Sequence, residues 1–436
     1  MLRLVLLVSV ALSACASPSP SAPAAPDRDA DPAIYEMFVR SATPEGTLRA
    51  AQARLSELDA LGIDVVWLMP IHPIGEVDRK GRLGSPYAVR DYRGVDPAIG
   101  TVDDVRAFVD AAHGLGMMVI LDWVANHTAP DHAWVAEHPG WYTERDGARP
   151  VPPADTDWWD VADLDYSADG LADAMIADMA FWVDLGVDGF RCDVAGLVPR
   201  AFWERAIGEL RDRAAPRELF WLAEWGEDWT LDAGFDARYG WDSYGALKTV
   251  WQTGDAAPFL DAVGDERPGG SMHFITNHDE TSWDAAAVDL WRGPDGMRAA
   301  MAAMYALPGP TLVYNGQEAA APERLNLFED ETVSYDGPDL RPAIERWLAL
   351  RDAHAVLRDG AVRSAVRDGS PVIAYTRAGD AERALVLANP TAEPQTWTLP
   401  PELAAFVGAP DRLGGEAAAQ TITLGAYGSR LFIVAS

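Results

Sequence analysis

Three acidic residues, Asp193, Glu224 and Asp279, each stand at the end of a short apolar run, in company with Asp122, Arg191, His127 and His278. The runs close as DWVANH (122–127), GFRCD (189–193), AEW (223–225) and TNHD (276–279). Taken singly, each polar group has an ordinary structural reading: Asp122 an ion-pair partner at a strand end, His127 a hydrogen-bonded loop histidine, Arg191 and Asp193 an i,i+2 pair on one strand face. Taken jointly, and beside Asp122, they place three carboxylates, an arginine and two histidines at one kind of position, with no thiol nucleophile and no phosphate-binding loop among them. Glycoside hydrolysis is the chemistry that wants this set. One carboxylate attacks the anomeric carbon, one carboxylic acid protonates the leaving oxygen, and a third grips sugar hydroxyls. A neighbouring arginine would hold the nucleophile ionised, and crowding of carboxylates would raise the pKa of the acid. A metal site also draws on Asp, Asn and His. The chain contains no HExxH and no calcium-loop spacing, so that reading is the weaker.

The elements that must position these groups alternate. Strand-like apolar runs are expected at 34–39, 65–69, 117–123, 189–193, 219–223, 273–277 and 311–314, with a weaker one at 235–241. Helical patterns fall at 47–61, 102–115, 171–185, 200–213, 297–307 and 340–350. Continuous hydrophobic strands separated by helices imply a parallel sheet buried on both faces, and eight of them a (β/α)8 TIM barrel over 31–357. Catalytic side chains of such barrels come from the carboxyl ends of the strands, where the four segments lie. The stretch 128–167 is rich in Trp, Pro and Asp without a helical period, and reads as a short loop domain inserted after strand 3. From 358 to 436 short alternating runs separated by Gly, Pro and Asp indicate a C-terminal all-β sandwich domain.

The whole chain of 436 residues carries 35 Lys plus Arg against 67 Asp plus Glu, a formal net charge of −32, which excludes a general nucleic-acid binder. Nearly all the cations are arginine, the only lysines being Lys80 and Lys248. Trp (17) outnumbers Phe (12) and Tyr (12), which suggests flat surfaces for ligand stacking. Trp123, Trp141, Trp158, Trp159 and Trp225 fall on the expected rim side, whereas Trp182, Trp203 and Trp347 lie in helical patterns and read as core. Residues 1–14 read as an export signal, and the segment LSAC (12–15) resembles a bacterial lipobox, which implies lipidation of Cys15. Residues 15–30 would then be a Ser/Pro/Ala tether off a membrane. Export with an outer-membrane or cell-surface anchor is expected, because Ala16 is not the aspartate that holds proteobacterial lipoproteins at the inner membrane. With Cys15 lipidated, Cys192 stands alone, no intramolecular disulfide forms, and strand alternation turns Cys192 toward the helices.

The four segments, in this order and on these strands, resemble the hallmark motifs of the α-amylase family of glycoside hydrolases, retaining (β/α)8-barrel enzymes acting on α-linked glucans. The resemblance implies Asp193 as nucleophile, Glu224 as general acid/base and Asp279 as the carboxylate that binds and strains the sugar. It implies that His127, His278, Arg191 and Asp122 serve substrate binding. SPY (85–87), with DY (91–92) and GT (100–101), resembles the family's loop after strand 2 and makes Tyr87 the tyrosine that stacks on the sugar. ADLD (162–165) resembles the short motif within the inserted domain. After Asp193 the family usually carries a Lys-His pair, where this chain reads VAGL (194–197); the calcium bridge through that histidine is absent, while Asn126 could still ligand a calcium ion. The implied protein is a monomeric, lipid-anchored hydrolase of α-1,4-glucans or malto-oligosaccharides that requires no cofactor. The alternatives are an exo-acting α-glucosidase, a transglycosylase, or a catalytically dead glycan-binding lipoprotein.

Overall fold

The computed structural model describes residues 31–265, 270–365 and 369–436. The expected signal segment, Cys15 and the tether lie outside the described residues.

Eight strands, β1 (Ala33–Met37), β2 (Val65–Leu68), β3 (Met118–Trp123), β4 (Gly189–Cys192), β5 (Phe220–Ala223), β6 (Ala237–Tyr239), β7 (Ser271–Met272) and β8 (Thr311–Tyr314), form one sheet in the order β8-β1-β2-β3-β4-β5-β6-β7. All the pairings are parallel, and a bridge between His273 and Thr311 closes the last seam, so the sheet is a (β/α)8 barrel. β1, β2 and β3 are buried at every position, as strands covered on both faces must be.

The surrounding helices are α1 (Leu55–Leu61), α2 (Val102–Gly114), α3 (Leu171–Leu185), α4 (Arg200–Ala214), α5 (Trp241–Thr253), α6 (Pro294–Met304) and α7 (Arg341–Ala353). α2 shows why they form. Thr101 and Asp104 cap each other's backbone N–H groups, and Val105, Phe108, Val109 and Ala112 make one buried stripe at helical spacing. α3 ends where Gly186 turns left-handed, at φ 116°.

Four expectations shift. The helix expected over 47–61 is two pieces, Leu48–Gln52 and α1, and between them Arg54 pairs with the nearly buried Glu318 at 2.7 Å. The seventh strand starts earlier than 273–277: the ladder takes Ser271–Met272, His273 bridges Thr311, and the residues after His273 leave the sheet to carry His278 and Asp279 to the rim. The weak strand expected at 235–241 is cut short by α5, which starts at Trp241. The insertion is ordered: His127–Thr128 pairs antiparallel with Ala162–Asp163, and Ala133–Glu137 is a helix too short to show a period.

Beyond α7, β9 (Ala361–Ser364), β10 (Ile373–Ala378), β11 (Glu382–Ala388), β12 (Gln395–Thr398), β13 (Thr421–Leu424) and β14 (Ser429–Ala435) make a four-stranded antiparallel sheet, β9-β10-β11-β14, and a two-stranded one, β12-β13. Alternation divides the larger sheet. Leu385, Leu387 and Phe432 pack with Trp397, Ile422 and Leu424 of the smaller one, while Tyr375, Val386 and Ile433 join the core of the barrel.

Candidate active site

Strand register assembles the centre of the site. Arg191 on β4 lies directly opposite Asp122 on β3 and Leu222 on β5. Beyond the strand ends the ladder continues, with Asp193 N–H donating to Trp123 O and Glu224 N–H to Cys192 O, both at 3.0 Å. Asp122, Asp193 and Glu224 are thus fixed around one buried guanidinium. Arg191 Nη1 donates to Asp122 Oδ1 (2.8 Å) and Asp193 Oδ1 (3.0 Å), and Nε to Tyr239 OH (3.2 Å). Nη2 lies 3.0 Å from Glu224 Oε1 without a hydrogen bond. Glu224 is thus the one of these three carboxylates without a hydrogen bond to the guanidinium, and its other oxygen accepts the Val194 N–H at 2.7 Å.

Burial raises all three carboxylates to about 7. Repulsion from neighbouring carboxylates, Asp279 among them, adds to the rise, and Arg191 opposes it without prevailing. One cation cannot neutralise three anions, so near neutrality the cluster keeps a proton to give. His278 runs the other way. Burial alone would depress it, but Asp279 and Glu36 carry it up to about 9. As an imidazolium it donates from Nδ1 to Glu36 Oε1 and from Nε2 to Tyr87 OH (2.7 Å), with Asp279 Oδ1 3.4 Å away. Tyr87 passes the chain on by donating to Asp122 Oδ2 (3.2 Å), and its ring stacks on that of His278. His127 is kept neutral by burial, which lowers it to about 3, and its Nδ1 accepts from Asn126 Nδ2 at 3.1 Å.

Asp193, Glu224, Asp279, Tyr87, His127 and His278 line a cavity of about 690 Å³. Asp122 and Arg191, expected to touch substrate, lie beneath its floor instead: their side chains have no exposure, and their contacts position Tyr87, Asp193 and Glu224. Calcium takes about six to eight oxygen ligands, carboxylates among them. Asn126 engages His127 through its amide nitrogen and Leu164 N–H through its backbone carbonyl, so the amide oxygen is the atom it would offer to such a set. Among the described residues no group of three His, Cys, Asp or Glu is placed to hold a metal ion.

Of the tryptophans expected at the rim, Trp158 and Trp159 line the cavity. Trp123 is fully buried against Tyr92, Trp141 packs on Trp134 and donates to Asp169 O, and Trp225 lies against Gly196. The segment after Asp193 owes its form to these contacts. Val194 is left-handed at φ 37°, a conformation costing a β-branched residue about 1–3 kcal/mol, and it aims its N–H at Glu224. A Cβ on Gly196 would come within 1.9 Å of the Trp225 ring. Cys192 is buried and free, as alternation predicts.

Several site residues carry no signal in the motifs. Lys80 and Phe328 line the cavity from loops, Trp283 from the short helical turn Glu280–Asp284, and Glu36 reaches His278 from β1 within an apolar run. Only the rarity of lysine pointed toward Lys80.

Residues 26–159 match the model of the α-amylase catalytic domain. The chain is 31% identical to an α-amylase of Lactobacillus plantarum, and covers 99% of that chain with 93% of its own at a TM-score of 0.82. It is 31% identical over 396 residues to α-amylase MalA of Haloarcula japonica, covering 85% of this chain and 57% of that protein. It is 30% identical over 402 residues to α-1,4-glucan:maltose-1-phosphate maltosyltransferase 2 of Streptomyces coelicolor, covering 82% of this chain and 58% of that protein. The chain therefore spans under three fifths of these two curated relatives' lengths. A closed eight-stranded barrel, carboxylates gathered at the ends of β4 and β5, and a near full-length match to a solved α-amylase agree, and the chain belongs to the α-amylase family of glycoside hydrolases.

Proposed function

We propose that this chain is a retaining hydrolase of α-1,4-linked malto-oligosaccharides or starch fragments. One observation carries the reading: Asp193 and Glu224 sit on the two terminal nitrogens of a single guanidinium. That seating fits the separation of about 5 Å used for direct carboxylate attack better than the roughly 6.5–9.5 Å that leaves room for a water. Asp193 attacks the anomeric carbon and forms a β-glucosyl ester as the glycosidic C–O bond breaks. Glu224 gives its proton to the departing oxygen, then takes one from the incoming water, so product leaves with the α configuration. Asp279, paired with the His278 imidazolium, accepts sugar hydroxyls; His127, neutral, holds the same sugar; Tyr87 gives it a flat face.

Proton NMR of the first product from maltoheptaose tests this. The α anomer must appear before mutarotation, and a β anomer would refute retention. Transfer to a sugar acceptor is the second reading, favoured by the resemblance to a maltosyltransferase; products longer than the substrate would establish it. A dead binding protein is disfavoured, since Asp193, Glu224 and Asp279 are all present and line one cavity. Export and lipidation of Cys15 remain part of the proposal, and incorporation of labelled palmitate, lost in Cys15→Ala, tests them.

A further inference from the structure

The loop after β2 carries one of the chain's two lysines into the cavity wall. Lys80 Nζ lies 2.9 Å from Asp160 Oδ1 and 4.5 Å from the centre of the Trp159 ring, both in the insertion after β3. It is also 5.9 Å from the ring of Phe328, in the loop after β8. The first and last of these loops are joined along the backbone as well. Leu83 N–H donates to Phe328 O (2.9 Å) and Arg82 N–H to Glu329 Oε1 (3.1 Å). Gly81 fits so closely that an added Cβ would lie 2.6 Å from that of Phe328. The Lys80 and Asp160 side chains are only 14% and 3% exposed, so this pair is far less screened than a surface one.

Loops from β8, β2 and β3 are thereby strapped together around β1. In the eight-stranded ring β5, which carries Glu224, stands opposite β1. The leaving group departs on the side of the acid that protonates it. The strap therefore closes the opposite side, the one that receives the sugars retained on the nucleophile.

Resting on the α-glucan reading above, we propose that the Lys80 strap is a stop for the non-reducing end of the substrate. It sets how many sugars fit between itself and Asp193, so the enzyme removes short segments of one length from chain ends. Trp159, 58% exposed, offers its free surface to the terminal sugar, and the ammonium group offers a donor to its hydroxyls.

Free maltoheptaose and maltoheptaose blocked at its non-reducing end, given to wild type, Lys80→Arg, Lys80→Ala and Trp159→Ala, with folding checked by thermal melting, test the proposal. Wild type is expected to release one short product from the earliest times and to spare the blocked chain. Lys80→Arg keeps that pattern because it keeps the Asp160 pair. Lys80→Ala and Trp159→Ala are expected to raise both the share of longer products and the cleavage of the blocked chain about tenfold. Equal cleavage of free and blocked chains by wild type, or unchanged product lengths in the folded alanine variants, would overturn the strap while leaving the α-glucan reading in place. A folded wild type that cuts neither chain would overturn both.

Discussion

At the residue scale, function rests on charges that one guanidinium cannot fully balance. Asp193→Asn and Glu224→Gln should each lower kcat by at least about 10³-fold with the fold intact, measured by steady-state kinetics beside circular dichroism. The raised carboxylates also make a statement about stability. Asp122, Asp193 and Glu224 titrate near 7 in the folded chain against about 4 unfolded. They bind more protons folded than unfolded, so their contribution to stability falls as pH rises from about 4 to about 7. His278, at about 9 folded against about 6.5 unfolded, contributes fully below 6.5 and loses that contribution as pH rises through about 9. Both shifts weaken the fold on the alkaline side. Asp193→Asn should accordingly melt higher than wild type at pH 8, with the gap closing by pH 4; a variant that melts lower at pH 8 would contradict this electrostatic picture. kcat/KM should fall above about pH 7 as Glu224 loses the proton it must give.

At the scale of elements, the seam between β4 and β5 sets the proposed catalytic pair, Asp193 and Glu224. Gly189 opens β4 at φ 145°, and a Cβ there would lie 1.9 Å from Phe220 O. Gly189→Ala should cost about 3 kcal/mol or more in chemical denaturation and reduce kcat, because the register that brings Asp193 beside Glu224 starts at that residue. The barrel was legible in the sequence because buried parallel strands are unbroken apolar runs, and the cluster because its members stand where those runs end. What stayed hidden has physical reasons. α5 buries Tyr244, Leu247, Val250 and Trp251 at helical spacing, but Gly245 within it and aromatic residues of weak helix propensity dilute the local signal. Glu36 lies inside a run that reads as core, and Lys80 acts through loops whose approach to one another no local pattern encodes.

For the whole molecule, the C-terminal sheet is a structural part of the barrel. Tyr375 OH donates to Ala303 O (2.8 Å), and the fully buried Arg377 donates to the carbonyls of Ala306, Leu357 and Gly360, spanning the end of α6 to the entry into β9. Removing the guanidinium leaves several buried carbonyls without a donor, and Arg377→Met should cost about 3 kcal/mol or more. Unfolding should remain a single transition in calorimetry, because the two units share one core, whereas two separate transitions would show that they fold independently. The acidity of the chain, −32 overall, serves solubility and leaves a neutral glucan indifferent.

The proposed mechanism requires that Asp193 form a covalent bond to the sugar, and that bond can be trapped. An activated fluoroglucoside whose ester hydrolyses slowly should add one sugar mass to the wild-type chain, located by peptide mass spectrometry on Asp193, and should add none to Asp193→Asn. An adduct on another carboxylate, or turnover of the reagent with no adduct and inverted product, would contradict the account.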